Sequence, residues 1–330
     1  MVSLASISDV LNVWKYDHNA LDIASTFTPP TGRSCCLAWN HTNQVVATGG
    51  ISHQIHLIQA SNGNILSSLQ VSDSQSEAIQ TNAVAFAGNS RLLAAALGSN
   101  IQLWDLKKRQ MKTMMSDHQT RVSALCFLPA GELISGDTFG AIRIWDAKAY
   151  KSSPELIMPS ATAQSVVASI TSLSISPSGG KSLAAGYTDG VLGVWDSASC
   201  TLLRKQLCHT GKLTALAYSP RNAKLVTTGG SDGRVTLIDT SSRNSKDPSA
   251  VIEVPGGGGV TSVSFHEDAI HTAVGLSNGK ILVYDWRNLR KPVASTPVRE
   301  AHPILALAFQ VCTILYCSVS NPLCVEFLCL

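Results

Sequence analysis

His118, His209 and His302 are the side chains best placed for acid–base chemistry, because imidazole is the group whose charge changes between about pH 5 and 8. Each precedes a short apolar run, where a histidine commonly bonds within its own sheet. General acid–base or glycosidic chemistry would need paired carboxylates. The acidic residues instead fall singly at turns, which suits caps and solvated loops. Gly256-Gly257-Gly258-Gly259 is followed by no Lys-Ser or Lys-Thr and opens no helix, so it reads as an inter-sheet turn and not a phosphate cradle. No G-x-S-x-G elbow and no H-E-x-x-H pair occurs. The expectation is a non-enzyme with no catalytic residue, no cofactor and no metal.

The elements that must carry these side chains repeat. Short apolar runs end at Trp14, Ile58, Trp104, Trp145, Trp195, Ile238 and Tyr284, at steps of 41 to 50 residues. That period matches a four-stranded propeller blade of about 40 to 45 residues. One unit shows the pattern: Val122 to Phe127, Leu133 to Ser135, Ile142 to Trp145 and Leu156 to Met158 are strands. Pro129-Ala130-Gly131 and Asp137-Thr138-Phe139-Gly140 supply turns. A lone four-stranded sheet cannot bury both faces, and radial stacking covers them. The opening segments, Val2 to Ile7, Leu11 to Trp14 and Leu21 to Phe27, give three strands without a preceding partner. Ile304 to Phe309 gives one more at the far end. The predicted fold is therefore all-β, a seven-bladed WD-repeat β-propeller over residues 1–310, closed by the last strand and the first three.

Composition agrees. Apolar residues make up 45% and charged residues 14%, against about 25% charged in an ordinary soluble domain, so many strands must be buried on both faces. A net charge of +3 gives no argument for nucleic acid or a membrane surface. No basic start leads into an apolar run with a cleavage site, which predicts a cytosolic or nuclear setting. Cys35, Cys36, Cys126, Cys200 and Cys208 lie in or beside predicted strands and read as reduced thiols serving as small core groups. Residues 311–330 are apolar, carry Cys312, Cys317, Cys324 and Cys329 and lack the blade pattern. Asn321-Pro322 and Glu326 argue against a membrane span, and the thiols lack the C-x-x-C spacing of a zinc site. This tail is expected to be unstructured or non-native, the natural sequence continuing differently beyond residue 310.

Charge patterning carries more. In an up-and-down blade the connections between strands one and two and between three and four share one face. Lys107, Lys108, Arg109, Lys148, Arg243, Arg287, Arg290 and Lys291 follow third strands and mark that face as basic. It is the expected docking surface for an acidic protein partner.

Leu37 to Gly50 (LAWNHTNQVVATGG), Tyr218 to Thr240 (YSPRNAKLVTTGGSDGRVTLIDT), Asn278 to Val293 (NGKILVYDWRNLRKPV) and Ala301 to Gln310 (AHPILALAFQ) resemble the plant-like members of a WD-repeat adaptor family. That family recruits the gamma-tubulin ring complex and is named for neural precursor cell expression and developmental down-regulation. The resemblance covers residues 1–310. It implies a targeting module that localises microtubule nucleation to the spindle and to microtubule-organising centres of the cytoskeleton, such as the centrosome, in mitosis. Gamma-tubulin complex or augmin components and microtubule-associated proteins are the implied partners, and no small molecule, nucleic acid or membrane. The helical carboxy-terminal region with which that family holds the gamma-tubulin complex is not in this sequence. The commonest WD pattern pairs a His, a turn Asp and a Trp within each blade, and no unit here is read as carrying all three: the Trp145 unit has His118 but Phe139 at the turn, and the Ile238 unit has His209 and Asp232 but no Trp. Ile281 to Arg287 and Ile142 to Lys148 also resemble the box of cullin-RING ubiquitin ligase substrate receptors, the alternative function.

Overall fold

The computed structural model describes residues 2–17, 20–28, 34–51, 54–71, 80–146, 151–152, 156–157, 168–177, 179, 182–241, 248–296 and 302–310. Among these residues there is no helix, and the strands form seven four-stranded antiparallel sheets. Six sheets are contiguous in sequence: blade 1 (34–70), blade 2 (81–115), blade 3 (122–157), blade 4 (170–207), blade 5 (213–253) and blade 6 (260–295). Blade 7 joins the chain ends. Its innermost strand is Ala306–Phe309, followed outward by Val2–Ile7, Leu11–Asp17 and Ala20–Phe27. Leu4 pairs with Phe309 and Ile7 with Ala306, the closure the strand count predicts. The first strands of all seven blades touch in circular order around a central channel.

Hydrophobic burial lies between the sheets. Seven clusters of buried side chains each span one pair of neighbouring blades, for example Ala94, Leu103 and Trp145 between blades 2 and 3. Second and third strands are buried on both faces, as in Leu92–Leu97 and Val191–Asp196, while outer strands such as Gln110–Met115 face solvent. This is why so few charges are needed. Each first strand in blades 1 to 6 carries a bulge at its second residue, seen as register shifts between Val122 and Ala124 and between Leu213 and Ala215. The bulge re-aims that side chain toward the next blade. Ser123 Oγ donates to the Ile170 carbonyl at 2.6 Å, and Thr214 Oγ1 to the Val260 carbonyl at 2.6 Å. Asn82 Nδ2 does the same to Val122 at 3.2 Å.

Close approach also fixes a glycine in second strands. A Cβ at Gly229 would stand 2.4 Å from Val260 Cγ1, and one at Gly186 would stand 2.3 Å from Leu213 Cδ2. The first residue of the next blade occupies that space. Ring closure uses the same inter-blade contacts: Trp39 Nε1 donates to the Ala308 carbonyl at 2.9 Å, and the Phe309 amide donates to Ser264 Oγ at 2.9 Å.

Of the cysteines in the strands, Cys36 is buried and Cys126 half-buried, and Cys208 beside them is half-buried as well. Cys36, Cys126 and Cys208 are free, and burial pushes each up to about 12, which leaves them inert. Residues 311–330, with their four cysteines, lie outside the described residues.

Candidate functional site

Connections after first strands and after third strands do emerge on one face. There, Lys107, Lys108 and Arg109 form the turn between Asn100–Asp105 and Gln110–Met115 in blade 2, and all three are exposed. The Lys108 amide donates to Asp105 Oδ1 at 2.9 Å, and Arg109 takes a left-handed φ of 54°. The turn is thus held while its side chains project. Arg91 joins them, its carbonyl accepting the Leu106 amide at 2.9 Å.

Arg287, Arg290 and Lys291 occupy the equivalent connection in blade 6 and are also exposed. Arg287 differs from the others in being neutralised: its Nε reaches Asp285 Oδ1 at 3.0 Å and its terminal nitrogen Oδ2 at 2.7 Å. That guanidinium holds the Asp285 carboxyl below the usual range. Blades 7 and 1 separate the two groups, so the basic residues share a face as two patches and not one. Lys148 and Arg243 lie outside the described residues. At the channel mouth on this face is a cavity of about 330 Å³ lined by blades 3 to 7 through side chains including Phe127, Pro177, Tyr218, Phe265 and Phe309, with Glu267 its charged member.

On the opposite face the histidines are structural, and here the sequence reading needs correcting. Blade 3 has the full polar set. Trp145 Nε1 donates to Ser135 Oγ at 2.8 Å, Ser135 Oγ meets His118 Nε2 at 2.6 Å, and His118 Nδ1 meets Asp137 Oδ2 at 2.8 Å. The acid stands three residues before Gly140 instead of at Phe139, and from there its other oxygen caps the turn by accepting the Phe139 and Ala141 amides at 2.9 Å. Spacing along the chain hid a contact that the turn makes in space. Asp137 is buried. In blade 5, His209 bridges Asp232 at 3.0 Å and Thr228 at 2.9 Å, and Thr236 takes the fourth place, 2.7 Å from Thr228. Blade 7 holds two separate pairs drawn from the chain ends: buried Trp14 donates to Ser6 at 2.8 Å, and exposed His302 meets Asp9 at 3.0 Å.

These groups set an acid limit on stability. Burial lowers His209 and His56 below the ordinary imidazole value of 6.5. Burial alone would raise Asp137, but its bonds from His118 and the Ala141 amide outweigh that and lower it below 3.8. A lowered histidine stays neutral in the fold, so its contribution is full above 6.5 and is lost as pH falls below that value. A lowered aspartate contributes above 3.8 and is lost below it. The midpoint of thermal unfolding should be flat above pH 7, fall below about pH 6.5 and fall again below about pH 4. A midpoint that rises between pH 7 and 5.5 would contradict these assignments.

Among the described residues, one group could hold a metal ion, His266, Asp268 and His271. Sequence reading passed over it, although the spacing H-x-D-x-x-H across one hairpin turn was there to be seen. No helix among the described residues is long and apolar enough to cross a membrane.

A profile of the WD domain, G-beta repeat, matches residues 109–146, the outer strand of blade 2 and the three strands of blade 3 that hold the complete polar set. A profile of the Nucleolar protein 10-like N-terminal domain matches residues 200–323. Human Protein NEDD1 is 25% identical over 97% of this chain and 46% of its own length, and the bovine protein is 25% identical over 97% and 47%. The chain is thus similar, at a distance, to NEDD1 along nearly its whole length, and its fold is a WD-repeat propeller. It spans about half the length of these relatives. The Arabidopsis thaliana protein "Cell division cycle 20.1, cofactor of APC complex" is 28% identical over 61% of this chain and 43% of its own. A chain from a crystal structure of the Mitotic Checkpoint Complex superposes with a TM-score of 0.70 at 19% identity, covering 92% of this chain and 84% of that one, which supports the fold alone.

Proposed function

We propose that this propeller is a non-catalytic adaptor that positions microtubule nucleation at the spindle and at microtubule-organising centres by docking an acidic protein surface on its basic face. The observation that carries the reading is the match to NEDD1 along nearly the whole chain. The blade 2 turn, whose three cations project from a backbone-fixed loop, supplies the chemistry of contact. Cations on a preset loop steer a charged partner and fix its orientation more than they add affinity. The cavity at the channel mouth on the same face offers a seat for an aromatic or aliphatic anchor.

The test is affinity purification from dividing cells with the chain and its Lys107→Glu, Lys108→Glu, Arg109→Glu variant. The wild type should recover gamma-tubulin complex or augmin components or microtubule-associated proteins, and the variant at least about tenfold less, a loss of about 1.4 kcal/mol. Equal recovery by both would refute the basic-face assignment. Recovery of a cullin adaptor in place of these components would favour the ubiquitin-ligase receptor.

A further inference from the structure

The turn between the first two strands of blade 6 reads His266-Glu267-Asp268-Ala269-Ile270-His271 and brings three ligand atoms to one point. Asp268 Oδ2 lies 3.0 Å from His266 Nδ1 and 2.5 Å from His271 Nδ1. All three donors fall within 4.8 Å of one another. The backbone holds them there. The His266 amide donates to the His271 carbonyl at 2.8 Å, and the Ala269 amide to the His266 carbonyl at 3.0 Å. Asp268 Oδ1 accepts the Ile270 amide at 2.7 Å and the His271 amide at 2.9 Å, which leaves Oδ2 directed at the rings.

Both rings meet the same carboxylate oxygen: His266 Nδ1 and His271 Nδ1 converge on Asp268 Oδ2 from two sides, so an ion that replaces the shared ring protons finds two imidazole nitrogens and a carboxylate oxygen already facing one point. We propose that His266 Nδ1, Asp268 Oδ2 and His271 Nδ1 bind one divalent transition-metal ion of the zinc class.

The donor set suits that ion. Two imidazoles and a carboxylate are zinc ligands at about 2.0–2.2 Å, three of them leaving the fourth tetrahedral position open. Donors on such an ion stand roughly 3.3 Å apart, so Oδ2 backs away slightly from His271 on loading. Protonation states agree: burial lowers His266, keeping it neutral, and backbone and His271 hydrogen bonds overcome burial to hold Asp268 well below the usual carboxylate range. A metal-bound imidazole normally turns its other nitrogen to an outer carboxylate, and Asp285 Oδ2 stands 3.8 Å from His271 Nε2. Tyr16 packs edge-on against both imidazoles at 5.4 and 5.7 Å, and Phe309 against His266 at 5.1 Å. Both rings belong to blade 7, so the ion would reinforce the seam where the chain ends meet.

The experiment is titration of the chelator-stripped full chain with Co²⁺. One ion per chain should bind, with four-coordinate d–d absorption, no intense thiolate band and displacement by Zn²⁺. Asp268→Asn keeps the Oδ1 bonds that shape the turn and should abolish the signal, as should His271→Gln, while His209→Gln retains it. Asp285→Asn should weaken binding about tenfold. Zn²⁺ should raise the unfolding midpoint of the wild type but not of Asp268→Asn. The proposal is overturned if the folded wild type takes up no cobalt, if the band persists in Asp268→Asn, or if a thiolate band places the ion on cysteines.

Discussion

A chain cut back to end at residue 303 should not reach the native fold, whereas one ending at Gln310 should unfold in the same single transition as the full chain. The missing segment carries Ile304, Leu307 and Phe309, each at least 94% buried. Burying a large apolar side chain is worth about 1.5–3 kcal/mol, so the three contribute roughly 5–9 kcal/mol. The backbone adds to this: the Leu305 amide bonds the Ile7 carbonyl at 2.7 Å, and the Gln310 amide bonds the Ser3 carbonyl at 3.0 Å. Removal also strips the Trp39 indole and Ser264 of partners in two neighbouring blades. A domain has about 5–15 kcal/mol in total, so little remains. Denaturant titration followed by far-ultraviolet circular dichroism measures this. An unchanged midpoint and slope for the 303 truncation would mean that the seam does not hold the ring.

The second large effect is expected at Asp137. Its carboxylate is shared by His118, the Phe139 amide and the Ala141 amide, and both it and His118 are buried. Asp137→Ala leaves all three without that acceptor in a dry site and should cost about 3–5 kcal/mol, the range for removing one partner of a buried pair. Asp105→Ala, whose carboxylate caps an exposed turn by accepting the Lys108 amide, should cost about 1 kcal/mol. Chemical denaturation of the two variants gives the comparison. Equal losses would show that the Trp145–Ser135–His118–Asp137 chain adds nothing beyond a turn cap.

The ring was legible in the sequence because blade architecture is written in spacing. Trp104, Trp145 and Trp195 stand at or next to the ends of third strands and Trp14 lies within one, and unpartnered strands at the two ends imply closure. The outer strands were harder to read, since their solvent faces break the apolar pattern, as in Thr201–Leu207. The polar sets were half legible. His118 and Trp145 stood out, but Asp137 was missed because a turn residue can reach the same histidine from more than one position, as Asp232 shows one residue before Gly233. The shared face of Lys107–Arg109 and Arg287–Lys291 followed from connectivity, yet their separation by two blades did not, since distance around a ring is invisible until blades are counted. Pairing of Arg287 with Asp285, and convergence of His266, Asp268 and His271, depend on side-chain directions at strand ends that periodicity does not encode.

Amide hydrogen exchange of this chain, alone and with the partner captured from dividing cells, tests the central claim most directly. Binding should slow exchange in the connections around residues 107–109 and 287–291, on the basic face. Protection confined instead to the opposite connections, around residues 138–140, 188–190 and 231–233, would contradict the account.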